Sequence, residues 1–125
     1  GVLFAGGLVF AQRVPTTPHA DAAQWLQALD LLAQWQRQGQ FTQLVPSHGP
    51  VDQGLQGITQ TGDWLRWLTG WMQDSAQQGR DLSELLRTSV PERFARWAAQ
   101  PAELHRTLAQ WYPAYERRVL LPSAP

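Results

Sequence analysis

The chain has 125 residues, enough for one domain with a hydrophobic core, and its 43% hydrophobic content is typical of a globular protein. Its formal charge is zero, and its ten basic residues are all arginines scattered along the sequence, a pattern that argues against binding to nucleic acid. The absence of cysteine excludes disulfides and thiolate metal ligands, and no apolar run approaches the roughly 20 residues of a membrane span.

Residues 1–52 have the pattern of an α/β unit. Two apolar runs, Val2–Ala5 and Leu8–Phe10, predict buried strands on either side of a turn at Gly6-Gly7. Glycine suits such a turn because it adopts positive φ at little cost. The sequence begins neither with methionine nor with a signal peptide, which predicts that this N-terminus results from processing or truncation.

An amphipathic helix and a third strand follow. Asp21 is the expected N-cap of a helix over residues 22–38, which Gly39 ends. Phe41–Val45 predicts the next strand, which leads directly into the rigid turn Pro46–Pro50. The succession of strand, helix and strand predicts a layer in which functional side chains gather at the carboxyl ends of the strands.

Residues 53–125 predict a helical extension. Trp64, Trp67 and Trp71 recur at helical spacing and predict the core-facing stripe of a long helix over residues 57–78. Pro113 should break or kink the last helix of the chain. The other expected helices are one that Asp81 caps and that reaches Arg87, one over residues 92–100, and one that starts near Pro101.

His48 is the candidate metal ligand of this sequence. Pro46 and Pro50 restrict the loop that carries it, and Gly49 lets the backbone turn sharply beside the imidazole. Such a loop either presents the ring to a metal ion or holds it by hydrogen bonds within a tight turn. The residues of the loop leave both interpretations open.

The other two histidines are weaker candidates. His19 lies in a proline-rich loop, and His105 is expected on a solvated helix face. The chain has three histidines and none of the short-range ligand motifs of zinc enzymes. It is therefore not expected to assemble a three-ligand zinc site by itself.

Two segments resemble the metallo-β-lactamase-fold hydrolases. Residues 2–10, VLFAGGLVF, are similar to the strand–loop–strand "vLFtGDxlf" of that superfamily. Residues 44–50, LVPSHGP, resemble the "vvPGHGp" loop that follows it in the same order. The helical part, including residues 111–116, is similar to the C-terminal extension of the zinc metallohydrolases of quinoprotein relay systems. The resemblance covers nearly the whole chain.

The resemblance implies a fold and a metal site. Residues 1–52 would form the C-terminal half of a four-layer αββα sandwich, and residues 53–125 would be its helical extension. His48 would bind one zinc ion that residues outside this chain complete, and the resemblance names no catalytic acid or base here. Gly7 stands where the family has a bridging aspartate, which favours a one-metal, weakened or absent site over the usual two-zinc centre.

The resemblance also implies an activity and a partner. The protein would hydrolyse an ester, lactone or thioester-like bond, would be periplasmic or secreted, and would be linked to a quinoprotein system. This chain alone would be catalytically incomplete. Its expected partner is the N-terminal half of the same fold, as a missing segment or a separate chain. The alternatives are homo-oligomer formation through the helical region and a non-catalytic interaction or dimerisation module that has lost the metal site.

Overall fold

The computed structural model describes residues 1–16, 21–51 and 55–120. Within these ranges the chain is a mixed α/β protein with one two-stranded parallel sheet and five α-helices, which confirms the predicted α/β class. None of the described helices is long and apolar enough to cross a membrane. In chain order the elements are β1 (Val2–Phe10), α1 (Ala22–Arg37), β2 (Gln43–His48), α2 (Leu55–Gln77), α3 (Leu82–Leu86), α4 (Glu92–Ala95) and α5 (Ala102–Leu120).

The first strand differs from the prediction. Residues 2–10 form one strand instead of two, and Gly6 has a φ of 55° within it. The register against β2 shifts between Phe4 and Gly6 and again between Gly6 and Phe10. The partner of Gly6 is Pro46, which has no N–H to donate to the ladder. The glycine pair therefore forms an irregularity opposite a proline and does not reverse the chain.

Helix α1 connects the two parallel strands and matches its prediction closely. Oδ1 of Asp21 accepts a hydrogen bond from the backbone N–H of Gln24 at 3.0 Å, which confirms the predicted N-cap. The helix ends at Arg37, and Gly39 follows with a positive φ of 73°. Local sequence signals therefore suffice to define this helix.

The second strand lies further along the chain than predicted. It begins at Gln43 rather than Phe41 and runs through Pro46 to His48. The cause is non-local, because β1 continues to Phe10 and its last residue pairs with His48. The predicted proline-rich turn is thus partly strand, and the histidine occupies the last position of that strand.

The aromatic side chains of the helical region form a cluster that confirms the predicted core stripe. Trp64 is 0% exposed, and its ring centroid lies 5.1 Å from that of Phe94 and 6.0 Å from that of Trp97. Trp67 and Trp71 are half-buried and stack on each other at 5.1 Å. These five residues are called the aromatic cluster below. Its two fully buried members, Trp64 and Phe94, belong to one hydrophobic core that includes residues from both 1–52 and 53–125.

The predicted helix over residues 92–100 is much shorter in the structure. α4 ends at Ala95, and Ala99 has a positive φ of 68°. Ala98 instead pairs with the segment after β1, because its N–H donates to the carbonyl of Gln12 and its carbonyl accepts from the N–H of Val14, both at 3.0 Å. A backbone that is used in this pairing cannot continue a helix.

Of the break or kink predicted at Pro113, the break does not occur. α5 runs from Ala102 to Leu120 with Pro113 inside it. A proline within a helix costs about 3 kcal/mol. Burial of a large apolar side chain stabilises by about 1.5–3 kcal/mol, and α5 buries Leu104, Leu108 and Tyr112. The buried face therefore outweighs the local penalty.

At the start of β1 the sheet is covered on one face within the described part of the chain. Ala5 and Leu44 are buried and Leu3 is half-buried, all in contact with the helix-covered core. Side chains alternate across a strand, so Val2 and Phe4 point to the opposite face, where they are 52% and 76% exposed. This exposed apolar surface of β1 is called the open sheet face below. The sequence predicted buried strands here, and the exposure of Val2 and Phe4 differs from that prediction.

Candidate functional site

The carboxyl ends of β1 and β2 meet at one edge of the sheet. Phe10, the last residue of β1, is the register partner of His48, the last residue of β2. The N–H of Ala11 donates to the carbonyl of His48 at 2.8 Å. The main chain of His48 is therefore held in the position where α/β folds collect functional side chains.

The imidazole of His48 is exposed and stacks on an aromatic side chain. Its ring stacks on Phe10, with centroids 5.8 Å apart and planes 22° apart, and Phe10 contacts Trp25 at 6.2 Å. Neither ring nitrogen makes a hydrogen bond to another residue of the described ranges. The arrangement therefore leaves the metal-binding atoms of the ring accessible, and the described residues do not form the turn hydrogen bonds of the alternative interpretation.

Gly49 is required by the turn that follows His48. Its φ is 110°, and a Cβ added there would lie 2.5 Å from the carbonyl oxygen and 2.6 Å from the Cβ of Ala11. Both the backbone conformation and the close approach exclude a side chain. The predicted role of this glycine beside the imidazole is confirmed.

Thr61 is a buried polar residue that sequence analysis missed. Its hydroxyl accepts a hydrogen bond from the N–H of Phe10 at 3.0 Å, and it lies 3.0 Å from the carbonyl of Phe10 and 2.8 Å from that of Gly57. It therefore hydrogen-bonds to the backbone of Phe10, the residue on which the ring of His48 stacks. The available signal was a polar residue between Ile58 and Leu65, on the apolar stripe of α2.

Thr61→Val is expected to lower the free energy of unfolding by about 2 kcal/mol. Valine keeps the shape but leaves the buried N–H of Phe10 without an acceptor, and such a group costs about 1–3 kcal/mol. Urea unfolding followed by tryptophan fluorescence measures the change. Thr69→Val is the matched control, because the Thr69 hydroxyl donates within its own helix, to the carbonyls of Leu65 and Arg66. Equal costs for the two variants would contradict the assigned role of Thr61.

The other candidate residues do not converge on His48 in the described part of the chain. His105 is half-buried in the second turn of α5, and Gly7 lies exposed in the middle of β1. His19 lies outside the described residues. No group of three His, Asp or Glu side chains within 1–16, 21–51 and 55–120 could hold a metal ion. The described residues therefore do not form a complete metal site by themselves.

Comparison with known proteins does not assign a family. No protein-family model matches the chain, and no curated protein sequence matches it. The relationship to metallo-β-lactamase-fold hydrolases rests on the two resembling segments and stays a prediction.

Proposed function

We propose that this chain is the C-terminal portion of a zinc-dependent hydrolase of the metallo-β-lactamase fold. The substrate class is an ester, lactone or thioester-like bond, in a periplasmic or secreted protein linked to a quinoprotein system. His48 supplies one ligand to a zinc ion, and the N-terminal half of the fold supplies the others. A zinc ion in such a site polarises a water molecule for attack on the substrate.

The presentation of His48 is the observation that carries this proposal. The imidazole is exposed at the carboxyl edge of a parallel sheet, on a main chain held by Ala11 and a turn that requires Gly49. A metal ligand needs this combination of a fixed backbone and an accessible ring nitrogen. The nitrogen is not engaged by any of the described residues, so a metal ion would displace no existing hydrogen bond to them.

The open sheet face supports the proposed partner. Phe4 is 76% exposed and Val2 is 52% exposed on a face that no described helix covers. A second sheet packed against this face would complete an αββα sandwich, with sheets about 10 Å apart. The N-terminal half of the same fold is the partner that provides both this sheet and the remaining zinc ligands.

Zinc analysis of the full-length protein tests the proposal. His48→Ala is expected to lower the bound zinc at limiting free zinc by at least about tenfold, because even loss of a second-shell partner costs about 10–100-fold in metal affinity. Elemental analysis after gel filtration gives the zinc per polypeptide, and circular dichroism verifies folding. His105→Ala is the matched control and should retain its zinc. Unchanged zinc content in His48→Ala removes His48 from the site.

A non-catalytic interaction or dimerisation module is the second candidate, and Gly7 favours it. A Cβ added at Gly7 meets no described atom within 4 Å, and its φ is not positive. The backbone therefore does not require glycine where the resembled family has an aspartate. Gly7→Asp separates the two functions, because a restored carboxylate should raise zinc affinity in a hydrolase. Zinc content unaffected by both Gly7→Asp and His48→Ala would favour the module.

A further inference from the structure

A cleft of about 430 Å³ lies between the N-terminal turn of α1 and the C-terminal half of α5. Its size falls within the range of about 300–1,000 Å³ that is usual for small-molecule sites. None of its lining residues belongs to the strand ends that carry His48. It is lined by half-buried Leu26, Trp111, Ala114 and Tyr115 and by exposed Asp21 and Arg118.

The guanidinium of Arg118 is a positive charge without an acidic partner among the described residues. Its central carbon lies 4.9 Å from the centroid of the Tyr115 ring, and this contact restrains the side chain at the cleft. Burial raises the pKa of Tyr115 above its ordinary value, although Arg118 opposes this effect. The phenol is therefore neutral at physiological pH and leaves the charge of Arg118 available.

We propose that this cleft binds a small aromatic monocarboxylate. The planar guanidinium of Arg118 offers two parallel N–H groups, which match the two oxygens of a carboxylate. The half-buried rings of Trp111 and Tyr115, with the aliphatic side chain of Leu26, provide the surface against which an aromatic body packs. Charge and apolar surface thus occur together in one cleft of suitable size.

Asp21 adds a negative charge to the cleft and therefore disfavours ligands that carry more than one negative charge. Its Oδ1 accepts a hydrogen bond from the N–H of Gln24 at 3.0 Å, so the carboxylate is held at the cleft by its capping role. This fixed charge repels a phosphate or a dicarboxylate more strongly than it repels a monocarboxylate. A monocarboxylate can bind Arg118 while its uncharged aromatic end faces the rest of the cleft.

An NMR titration of the ¹⁵N-labelled chain with indole-3-acetate tests the site. The indole N–H resonance of Trp111, assigned with Trp111→Phe, is expected to shift and to saturate below about 10 mM ligand. Indole-3-acetamide has the same body without the charge. It should bind about tenfold more weakly, because a hydrogen bond to a charged group is lost.

A pair of neighbouring arginines provides the matched control. Arg118→Gln should weaken binding of indole-3-acetate about tenfold, whereas Arg117→Gln should not, because Arg117 does not line the cleft. His48→Ala should bind the probe like the unaltered chain, which separates this site from the proposed zinc site. The proposal is overturned if Trp111 does not shift or if both arginine variants bind equally well.

Discussion

Gly49→Ala is expected to lower the free energy of unfolding by about 3 kcal/mol or more. Positive-φ strain costs about 1–3 kcal/mol in a residue with a side chain, and overpacking adds about 1–3 kcal/mol. Both apply here, because the φ is 110° and the new Cβ would lie 2.5 Å from the carbonyl oxygen of Ala11. Urea unfolding followed by tryptophan fluorescence gives the change in stability.

Two other glycines separate the contributions at Gly49. Gly39 also has a positive φ, 73°, but an added Cβ there meets no described atom within 4 Å, so Gly39→Ala measures the backbone cost alone. This cost is about 1–2 kcal/mol. Gly7→Ala, with neither constraint, should be nearly neutral. If Gly49→Ala costs no more than Gly39→Ala, the close approach to Ala11 does not hold the turn beside His48.

Trp64→Ala is expected to destabilise the chain by about 4 kcal/mol. Truncation of a buried tryptophan removes its apolar burial and leaves a cavity, at a cost of about 3–5 kcal/mol. Trp64 is 0% exposed and contacts Trp67, Phe94 and Trp97 in the aromatic cluster. The cluster joins α2 to the segment around α4, so its loss should weaken the packing between them. Thermal or urea unfolding measures the loss of stability.

Two further variants test the reason for this effect. Trp35→Ala, at a position 37% exposed on α1, should cost less than about 1 kcal/mol. Trp64→Phe should cost far less than Trp64→Ala, because it keeps an aromatic ring and because the buried indole N–H has no acceptor among the described residues. A Trp64→Ala variant as stable as Trp35→Ala would contradict the central position of Trp64 in the core.

Local signals were sufficient for the first three helices, α1, α2 and α3. Asp21 and Asp81 were predicted as caps, and both side chains accept hydrogen bonds from the first turn of their helices. Of the predicted stripe of α2, Trp64 is fully buried, and Trp67 and Trp71 are half-buried against the core. Capping and amphipathic spacing act within a few residues, so a single sequence contains the information that they need.

The conformations of Gly6 and Pro113 differ from those that the local sequence predicts, because residues distant in sequence decide them. Gly6 lies within a strand because β1 pairs with β2 on both sides of it, and Pro113 lies within α5 because that helix buries an apolar face. The predicted helix over residues 92–100 stops early because Ala98 pairs with the backbone beyond β1. These partners lie far away in sequence, so the local pattern of residues does not predict the pairing.

The same division applies to the candidate site. From the sequence alone, Gly49 was expected to let the backbone turn sharply directly after His48. The tertiary structure was needed to show that the His48 ring stacks on Phe10, that Thr61 hydrogen-bonds to the end of β1, and that Asp21 and Arg118 line one cleft. Asp21 and Arg118, for example, are 97 positions apart in the sequence. Long-range packing, rather than local conformational preference, brings such residues together.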